Sequence, residues 1–342
     1  MIICSFEFVY RLQIIERKNM KEIKIGFIGS GGNANGHMNR LSEMEGANVV
    51  AICDIVPQKA QNAAEKHNAD PYTEHRAMLE RDDLDAIYLS LPVFAHGQPE
   101  LDVIERGLPF FVEKPVAINM DIAREVEAAV TKAGLITCVG YQLRYLGSTR
   151  ITQKILAEKT INMVVGKYWC GSGRGNPEGW LRQWNKSGGQ LVEQATHTID
   201  MMRNLIGEVE SVYAMQANRF LKEIDCPDSN SVTLQFSDGV VGSMTAAWAY
   251  AGGWNNANVL DILYEGELLN WNPARVSVQE DGEWVDKTEP GPTIDEVFVN
   301  AVRSSDASQI LSPYTDAVKT LEISLAANLS AQENRLVEIS SL

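Results

Sequence analysis

An apolar run, Ile23–Lys24–Ile25–Gly26–Phe27–Ile28, leads straight into Gly29–Ser30–Gly31–Gly32–Asn33–Ala34. A strand that opens through a glycine-rich turn into a helix is the first unit of a parallel sheet. The glycines fit G-x-G-x-x-A, and the helical pattern Ala34–Met44 follows them. The rest of residues 20–143 continues the theme. Apolar runs rich in β-branched residues recur at Val49–Cys53, Ala86–Leu91, Phe110–Val112 and Leu135–Val139, with helical patterns at Gln58–His67, Pro99–Arg106 and Met120–Ala133 between them. Such alternation with short connections predicts an α/β, doubly wound parallel sheet covered by helices on both faces.

Each small residue of the loop has a physical task. Gly29 permits the tight turn. Gly31 lets the backbone approach a pyrophosphate, and Ala34 lets helix and strand pack closely. The helix N-terminus adds N–H donors and a partial positive charge. Asp54 ends the run Asn48–Asp54, twenty residues beyond Ala34. A carboxylate there accepts both ribose hydroxyls of an adenosine and repels a 2′-phosphate. Ile55–Val56–Pro57 follow, with no Arg. NAD is therefore expected over NADP, with Gly29, Ser30, Gly31, Gly32, Asn33, Ala34 and Asp54 holding it. The bland alternative is a glycine-rich turn in a domain without a nucleotide.

The texture changes after Arg144. A helical stretch, Ser148–Glu158, leads into strand patterns at Met163–Cys170, Val209–Ala217, Ser231–Phe236, Val240–Trp248 and Val259–Tyr264. One helix, Gln190–Leu205, interrupts them, and two more lie near Thr293–Arg303 and Tyr314–Asn334. Successive strands joined by short turns predict an antiparallel sheet, so residues 144–342 read as a second, α+β domain. All seven tryptophans fall at or after Trp169, which sets this half apart in composition too. Residues 1–19 lack the basic start and cleavage site of a signal peptide, and Met20 is a natural beginning for a strand-first domain. They read as a non-native or disordered extension.

Charge and cysteines narrow the function. A formal net charge of −15 argues against nucleic acid as a partner. No apolar run reaches the length that spans a membrane. Cys4, Cys53, Cys138, Cys170 and Cys226 are scattered without a CxxC pair, as reduced thiols in a cytoplasm would be.

Three further stretches bear on function: Leu91–Pro92 with His96, VEKPVAIN at 112–119, and GGQLVEQATHTIDMM at 188–202. Together with the glycine loop they resemble the glucose–fructose oxidoreductase/inositol dehydrogenase (Gfo/Idh/MocA) family, from about Lys21 to near Asn334. The resemblance implies an N-terminal Rossmann domain followed by a domain with a large, mostly antiparallel open sheet. The free face of that sheet is implied to make a homodimer or homotetramer. It also implies hydride transfer between a nicotinamide ring and a secondary alcohol of a sugar, cyclitol or sugar derivative. Carried onto this chain, Lys114 of the Glu113–Lys114–Pro115 element is the catalytic lysine and His197 the proton-transferring histidine. Glu193 sits where the family often has Asp.

The chemistry suits these residue types. Alcohol oxidation releases a proton from oxygen, and histidine accepts one near neutral pH. A lysine at the carboxyl edge of a sheet stabilises alkoxide charge. Glu193 and His197 are expected at i and i+4 on one helix, with Glu193 and Asp200 orienting His197 and raising its proton affinity. A metal is not expected, because Glu193 and His197 lack a second histidine and do not form H-E-x-x-H. Ser90, Leu91, Pro92 and His96 follow a strand at the carboxyl edge and are expected near the nicotinamide end, with Glu113 and Lys114. His37 either packs locally or lines the cleft. By analogy Tyr141, Gln142 and Arg144 lie beside cofactor and substrate, Arg144 alternatively serving as a structural ion-pair partner. Trp180 and Trp184 either stack on a sugar or anchor their loop. Two other functions stay open: an NAD-dependent, redox-neutral glycosidase and a non-catalytic NAD-binding regulator.

Overall fold

The computed structural model describes residues 21–254 and 256–342. The expectation for residues 1–19, and Cys4 with it, lies outside the described residues.

The first sheet holds six strands: β1 (Ile23–Ile28), β2 (Ala47–Cys53), β3 (Asp70–Tyr72), β4 (Ala86–Leu89), β5 (Phe110–Val112) and β6 (Thr137–Val139). Their order is β3-β2-β1-β4-β5-β6, and every pair is parallel. The order reverses between β1 and β4, which is where ligands bind in such sheets. Helices α1 (Gly32–Ser42), α2 (Pro57–His67), α3 (His75–Leu79), α4 (Gln98–Glu105) and α5 (Met120–Ala133) connect the strands. Local chemistry sets their ends. Asn119 caps α5 by accepting from the Ile122 N–H, and Gly134 stops it in the left-handed conformation. On one face of the sheet Phe27 stacks on Tyr88, and Tyr88 on Phe111, with ring centroids 4.8 and 4.7 Å apart. Each such pair adds about 0.5–1.5 kcal/mol beyond its burial.

The second sheet has nine strands, in the order β14-β13-β12-β11-β7-β10-β9-β8-β15. They are β7 (Ile161–Trp169), β8 (Val209–Ala217), β9 (Ser229–Phe236), β10 (Val241–Ala247), β11 (Asn256–Tyr264), β12 (Glu267–Asn272), β13 (Arg275–Glu280), β14 (Glu283–Asp286) and β15 (Val337–Glu338). All pairs are antiparallel except β7 with β10. Helices α6 (Gly147–Leu156), α7 (Trp184–Ser187), α8 (Gly189–Glu193) and α9 (Thr196–Ile206) belong to this half. The chain ends with α10 (Ile294–Ser304) and α11 (Tyr314–Glu333). The four cysteines among the described residues are free thiols, all buried.

The helices depart from the sequence reading in two places. The helix expected over Gln190–Leu205 is broken. The Gln190 carbonyl accepts from both the Gln194 and Ala195 N–H groups, and Gln194 leaves the helical region. Glu193 thus ends α8, while His197 lies on α9. The final helices also pack on the first sheet, although Ile323, Ala326 and Ala327 of α11 stay in the core of the second. Ile294, Phe298, Val299 and Val302 join the core formed by Ile23, Phe27 and Phe111. Tyr314, Ala317, Val318 and Leu321 pack with Phe110, Val112 and Val126. Residues 144–342 thus contribute part of the hydrophobic core of the first sheet.

Candidate functional site

The carboxyl ends of β1, β4, β5 and β6 bring four loops to one edge. They are the glycine loop, Ser90–Pro92, Glu113–Pro115 and Gly140–Gln142. Gly29 is at φ +97°, and a Cβ there would run into the Ser90 carbonyl oxygen. Gly31 and Gly32 meet nothing within 4 Å of a notional Cβ. The Asn35 amide donates to the Ser30 and Gly31 carbonyls, 2.8 Å each. That fixes the loop while α1 begins without a side-chain cap or an acidic residue in its first turn. An open N-terminus of this kind suits a pyrophosphate. Ala34 is buried, Asn33 exposed.

Beside this loop lies a cleft of about 440 Å³, lined by Ser30, Gly31, Gly32, Asn35, Lys59, Asn62, Ala63 and Lys66. The α2 residues Lys59, Asn62 and Lys66 escaped the sequence reading. Their spacing on one helix face was visible, but only the fold turns that face to the loop. Asp54 is half-buried. Its Oδ2 accepts from the Ser30 N–H at 3.0 Å and hydroxyl at 2.7 Å, and its Oδ1 from the Val56 N–H at 2.9 Å. With four acceptor sites on a carboxylate, one remains for a ribose hydroxyl unless Ser30 turns away. The two-hydroxyl expectation for Asp54 is corrected to that extent. The donors, the open glycines and the acceptor at Asp54 fit NAD.

Lys114 reaches across to the second half of the chain. Its Nζ donates to the Glu193 carbonyl at 2.7 Å and lies 3.6 Å from Glu193 Oε1. Glu193 Oε2 is buried without a hydrogen-bond partner. His197 is buried, and its ring meets Tyr141 edge-on, centroids 6.0 Å apart. The Tyr141 hydroxyl pairs with Thr196 Oγ1 at 3.0 Å. Burial, then the Lys114 charge, hold the His197 pKa well below its ordinary 6.5. The expectation that acidic neighbours raise it is overturned. The Asp200 carboxylate is taken by Arg144, and no bond joins Glu193 to the ring.

Arg144 is itself corrected. Its Nε and Nη2 bind Asp200 at 2.9 and 2.5 Å, and its Nη1 binds the Leu311 carbonyl and Asp316 at 2.6 Å each. At 3% exposure it is a structural ion-pair partner, not a group open to substrate. His96 is also buried. Its Nδ1 bonds Glu100 at 2.6 Å, while its Nε2 has no partner. Gln142 is exposed at the start of a 3₁₀ turn. Trp180 meets the exposed Phe94 edge-on at 6.1 Å, joining its loop to the one after β4. Trp184 packs against the second core, where a Cβ on Gly189 would strike its ring. Gln194 was missed. It accepts from the Trp248 indole at 2.5 Å and donates to Ser172 at 3.0 Å, bracing the break beside Glu193.

The His37 ring is likewise buried, and its two nitrogens contact Asp295 and Glu113. Burial lowers its pKa, but the bonds and charges of those carboxylates outweigh burial and raise it to about 9. The two histidines therefore work in opposite directions. His37 contributes stability present below pH 6.5 and lost as pH rises through about 9. His197 contributes stability present above 6.5 and lost as pH falls below it. Relative to His197→Gln, the wild-type thermal midpoint is expected to drop on going from pH 6.5 to about pH 5. Parallel drops in both proteins would contradict a buried neutral imidazole.

Comparison with known proteins agrees with this geometry. Residues 23–141 match the model described as "Oxidoreductase family, NAD-binding Rossmann fold", and residues 159–265 match the GFO/IDH/MocA C-terminal domain. A 2,7-anhydro-N-acetylneuraminate hydratase of Mediterraneibacter gnavus is 26% identical over 70% of this chain and 65% of its own. The NAD(+) scyllo-inositol 2-dehydrogenase of Bacillus subtilis is 25% identical over 61% of this chain and 62% of its own. Both alignments span slightly under two thirds of the relative's length. Among solved structures, levoglucosan dehydrogenase with NADH and L-sorbose superposes at TM-score 0.84, with 20% identity over 94% of this chain and 99% of its own. The WlbA dehydrogenase of Bordetella pertussis, with NADH and UDP-GlcNAcA, gives 0.81 and 22% over 93% and 99%. With both halves matched, a reversal point lined by open glycines and a lysine poised at the sheet edge, the chain belongs to the Gfo/Idh/MocA family of NAD-binding oxidoreductases.

Proposed function

We propose that the protein is an NAD-dependent dehydrogenase or reductase acting on a secondary alcohol of a sugar, cyclitol or sugar derivative. The observation that carries this reading is the Lys114 ammonium, anchored on the Glu193 carbonyl beside a buried His197 held neutral. Bound NAD supplies the hydride acceptor. An ammonium has three donors, so one bond to a carbonyl leaves donors for a substrate oxygen. Lys114 stabilises the charge that grows on that oxygen as its proton leaves. His197, a neutral imidazole, takes the proton. The unpartnered Glu193 Oε2 accepts from a neighbouring substrate hydroxyl. Ser30 and Asp54 read the adenosine ribose. Asp54→Ala is expected to weaken NAD about tenfold and narrow the preference over NADP, because a charge-assisted bond is lost. Titration of intrinsic fluorescence with each nucleotide measures this, and unchanged NAD affinity would place ribose recognition elsewhere.

The Mediterraneibacter relative is named a hydratase, and adding water changes no oxidation state overall; this favours a second reading, an NAD-dependent enzyme with no net redox change, such as a redox-neutral glycosidase. NADH formation at 340 nm across hexoses, inositols, sugar acids and glycosides separates the two. Stoichiometric NADH supports the first, and product formation with only catalytic NAD supports the second.

The outer face of the second sheet supports self-association. Met163, Val165 and Trp169 of β7 and Val241 of β10 are exposed on it, with Val241 directly beside Met163. A homodimer or homotetramer through this face is the proposed assembly, and light scattering gives its mass. Among the described residues, no helix is long and apolar enough to cross a membrane.

A further inference from the structure

Beneath the lysine loop lies a buried charge cluster that hydride transfer does not itself require. His37, on α1, bonds Asp295 Oδ1 through Nδ1 at 2.6 Å and Glu113 Oε1 through Nε2 at 3.2 Å. Asp295, at the start of α10, also accepts from Arg40 Nε at 2.6 Å and from the Tyr88 hydroxyl of β4 at 3.1 Å. Arg40 Nη2 lies 2.9 Å from His37 Nδ1. The ring packs on Phe111 and Tyr88, at 4.7 and 5.5 Å between centroids. Both Glu113 and Asp295 are buried.

The charges decide the state of the ring. Arg40 bonds Asp295, and the Lys114 ammonium is engaged on Glu193, so a neutral imidazole would leave the buried Glu113 without a directly bonded cation. The imidazolium balances the cluster. It also donates from both nitrogens, which is what two flanking carboxylates need, whereas either neutral tautomer can donate to only one of them; Nδ1 then accepts nothing from Arg40, and the two cations meet as neighbours sharing Asp295.

Glu113 links the cluster to the site. It is the residue before Lys114. Its second oxygen, Oε2, accepts from the Lys114 backbone N–H at 3.3 Å and sits where a side chain on Gly140 would have to go. Gly140 in turn leads to Tyr141, the ring against His197. A rotation of the Glu113 carboxylate would therefore disturb Lys114 and the Tyr141 loop together.

We propose that His37 is a positioning residue: its imidazolium, held by Asp295, fixes Glu113 and thereby the backbone from which the Lys114 ammonium reaches its substrate oxygen. The proposal rests on the reading of Lys114 given above. It gives the helix that cradles the cofactor pyrophosphate a second task, that of aligning the lysine. A misplacement of about 1 Å at a reacting group can cost about a hundredfold in rate.

The test uses the full-length His37→Phe, His37→Gln, Glu113→Gln and Lys114→Met variants. NAD affinity is measured by fluorescence, and kcat and KM with whichever alcohol the 340 nm panel identifies. His37→Phe is expected to lower kcat about ten- to a hundredfold, with NAD affinity changed less than about threefold because the glycine loop is intact. His37→Gln still donates to Glu113 and is expected to recover part of the rate. A kcat within twofold of wild type in His37→Phe, with Lys114→Met inactive, overturns the proposal alone. An active Lys114→Met overturns the lysine reading and this proposal with it. If His37→Phe does not fold, Glu113→Gln decides, and a full kcat there overturns the proposal. Independently of any substrate, ¹⁵N-histidine spectra at pH 7.5 should show both His37 ring nitrogens protonated, assigned by their loss in His37→Gln. A neutral tautomer overturns the clamp.

Discussion

Lys114→Met is expected to abolish turnover, by about 10³-fold or more, while leaving NAD affinity within about threefold of wild type. Losing a single preorganised donor at a developing oxyanion costs about 10²–10³ in kcat. Besides the role proposed for it, the Lys114 ammonium bonds the Glu193 carbonyl at 2.7 Å and so joins the two halves of the chain at the cleft. Methionine keeps most of the side-chain volume and loses all the donors. The glycine loop and Asp54 sit on other strands, so cofactor binding should survive. Stopped-flow kinetics beside a fluorescence titration separates the two effects. Substantial remaining turnover would remove Lys114 from the chemistry, and a parallel loss of NAD binding would reassign it to the cofactor.

The second large effect is on stability. Arg144→Ala removes the partner of Asp200, which is fully buried, and one of two arginines on Asp316. Breaking a buried pair from one side costs about 3–5 kcal/mol, because the other charge stays behind in a poor solvent. Thr320 also donates to Asp200 at 2.9 Å, but a hydroxyl does not neutralise a carboxylate. With an m-value of about 2–3 kcal/mol/M, the urea midpoint should fall by roughly 1–2.5 M. Asp316→Asn is the contrasting case. That side chain is a quarter exposed, and its loss should cost far less. A shift in Arg144→Ala no larger than in Asp316→Asn would mean the ion pair is not what holds α9 to α11.

Much of this site could be read from residue order because its chemistry is local. The glycine loop, Asp54 and the Glu-Lys-Pro element follow strands whose apolar runs are unmistakable. β1, β5, β8 and α5 have the boundaries their patterns predict. The parts that escaped depend on distant partners. His37 reads as an ordinary helix residue until Asp295, far along the chain, closes on it. Arg144 looks exposed beside a turn, yet Asp200 and Asp316 bury it. The break at Gln194 has no glycine or proline to announce it. It is held by Trp248 and Ser172 from other elements. The hairpins β11–β12 and β13–β14 carry a turn signal in the sequence. Glu265–Gly266 and Asp281–Gly282 all have positive φ, as two-residue hairpin turns require. β12, β13 and β14 are six residues or shorter and carry charges, which weakens the alternation. Asp70–Tyr72 is a three-residue edge strand, too short to show a period.

The packing of Phe298 and Tyr314 into the first sheet carries a consequence for how the molecule is made. All six strands of that sheet have been synthesised by Val139, but α10 follows only after the whole second sheet except β15. At about 5–20 residues per second, the intervening chain takes about 10–30 s. During that interval the nascent domain shows water the surface that Phe298 and Val302 will cover. The half of the protein that emerges first thus waits for the late helices to finish its interior, and its early life falls within the reach of chaperones.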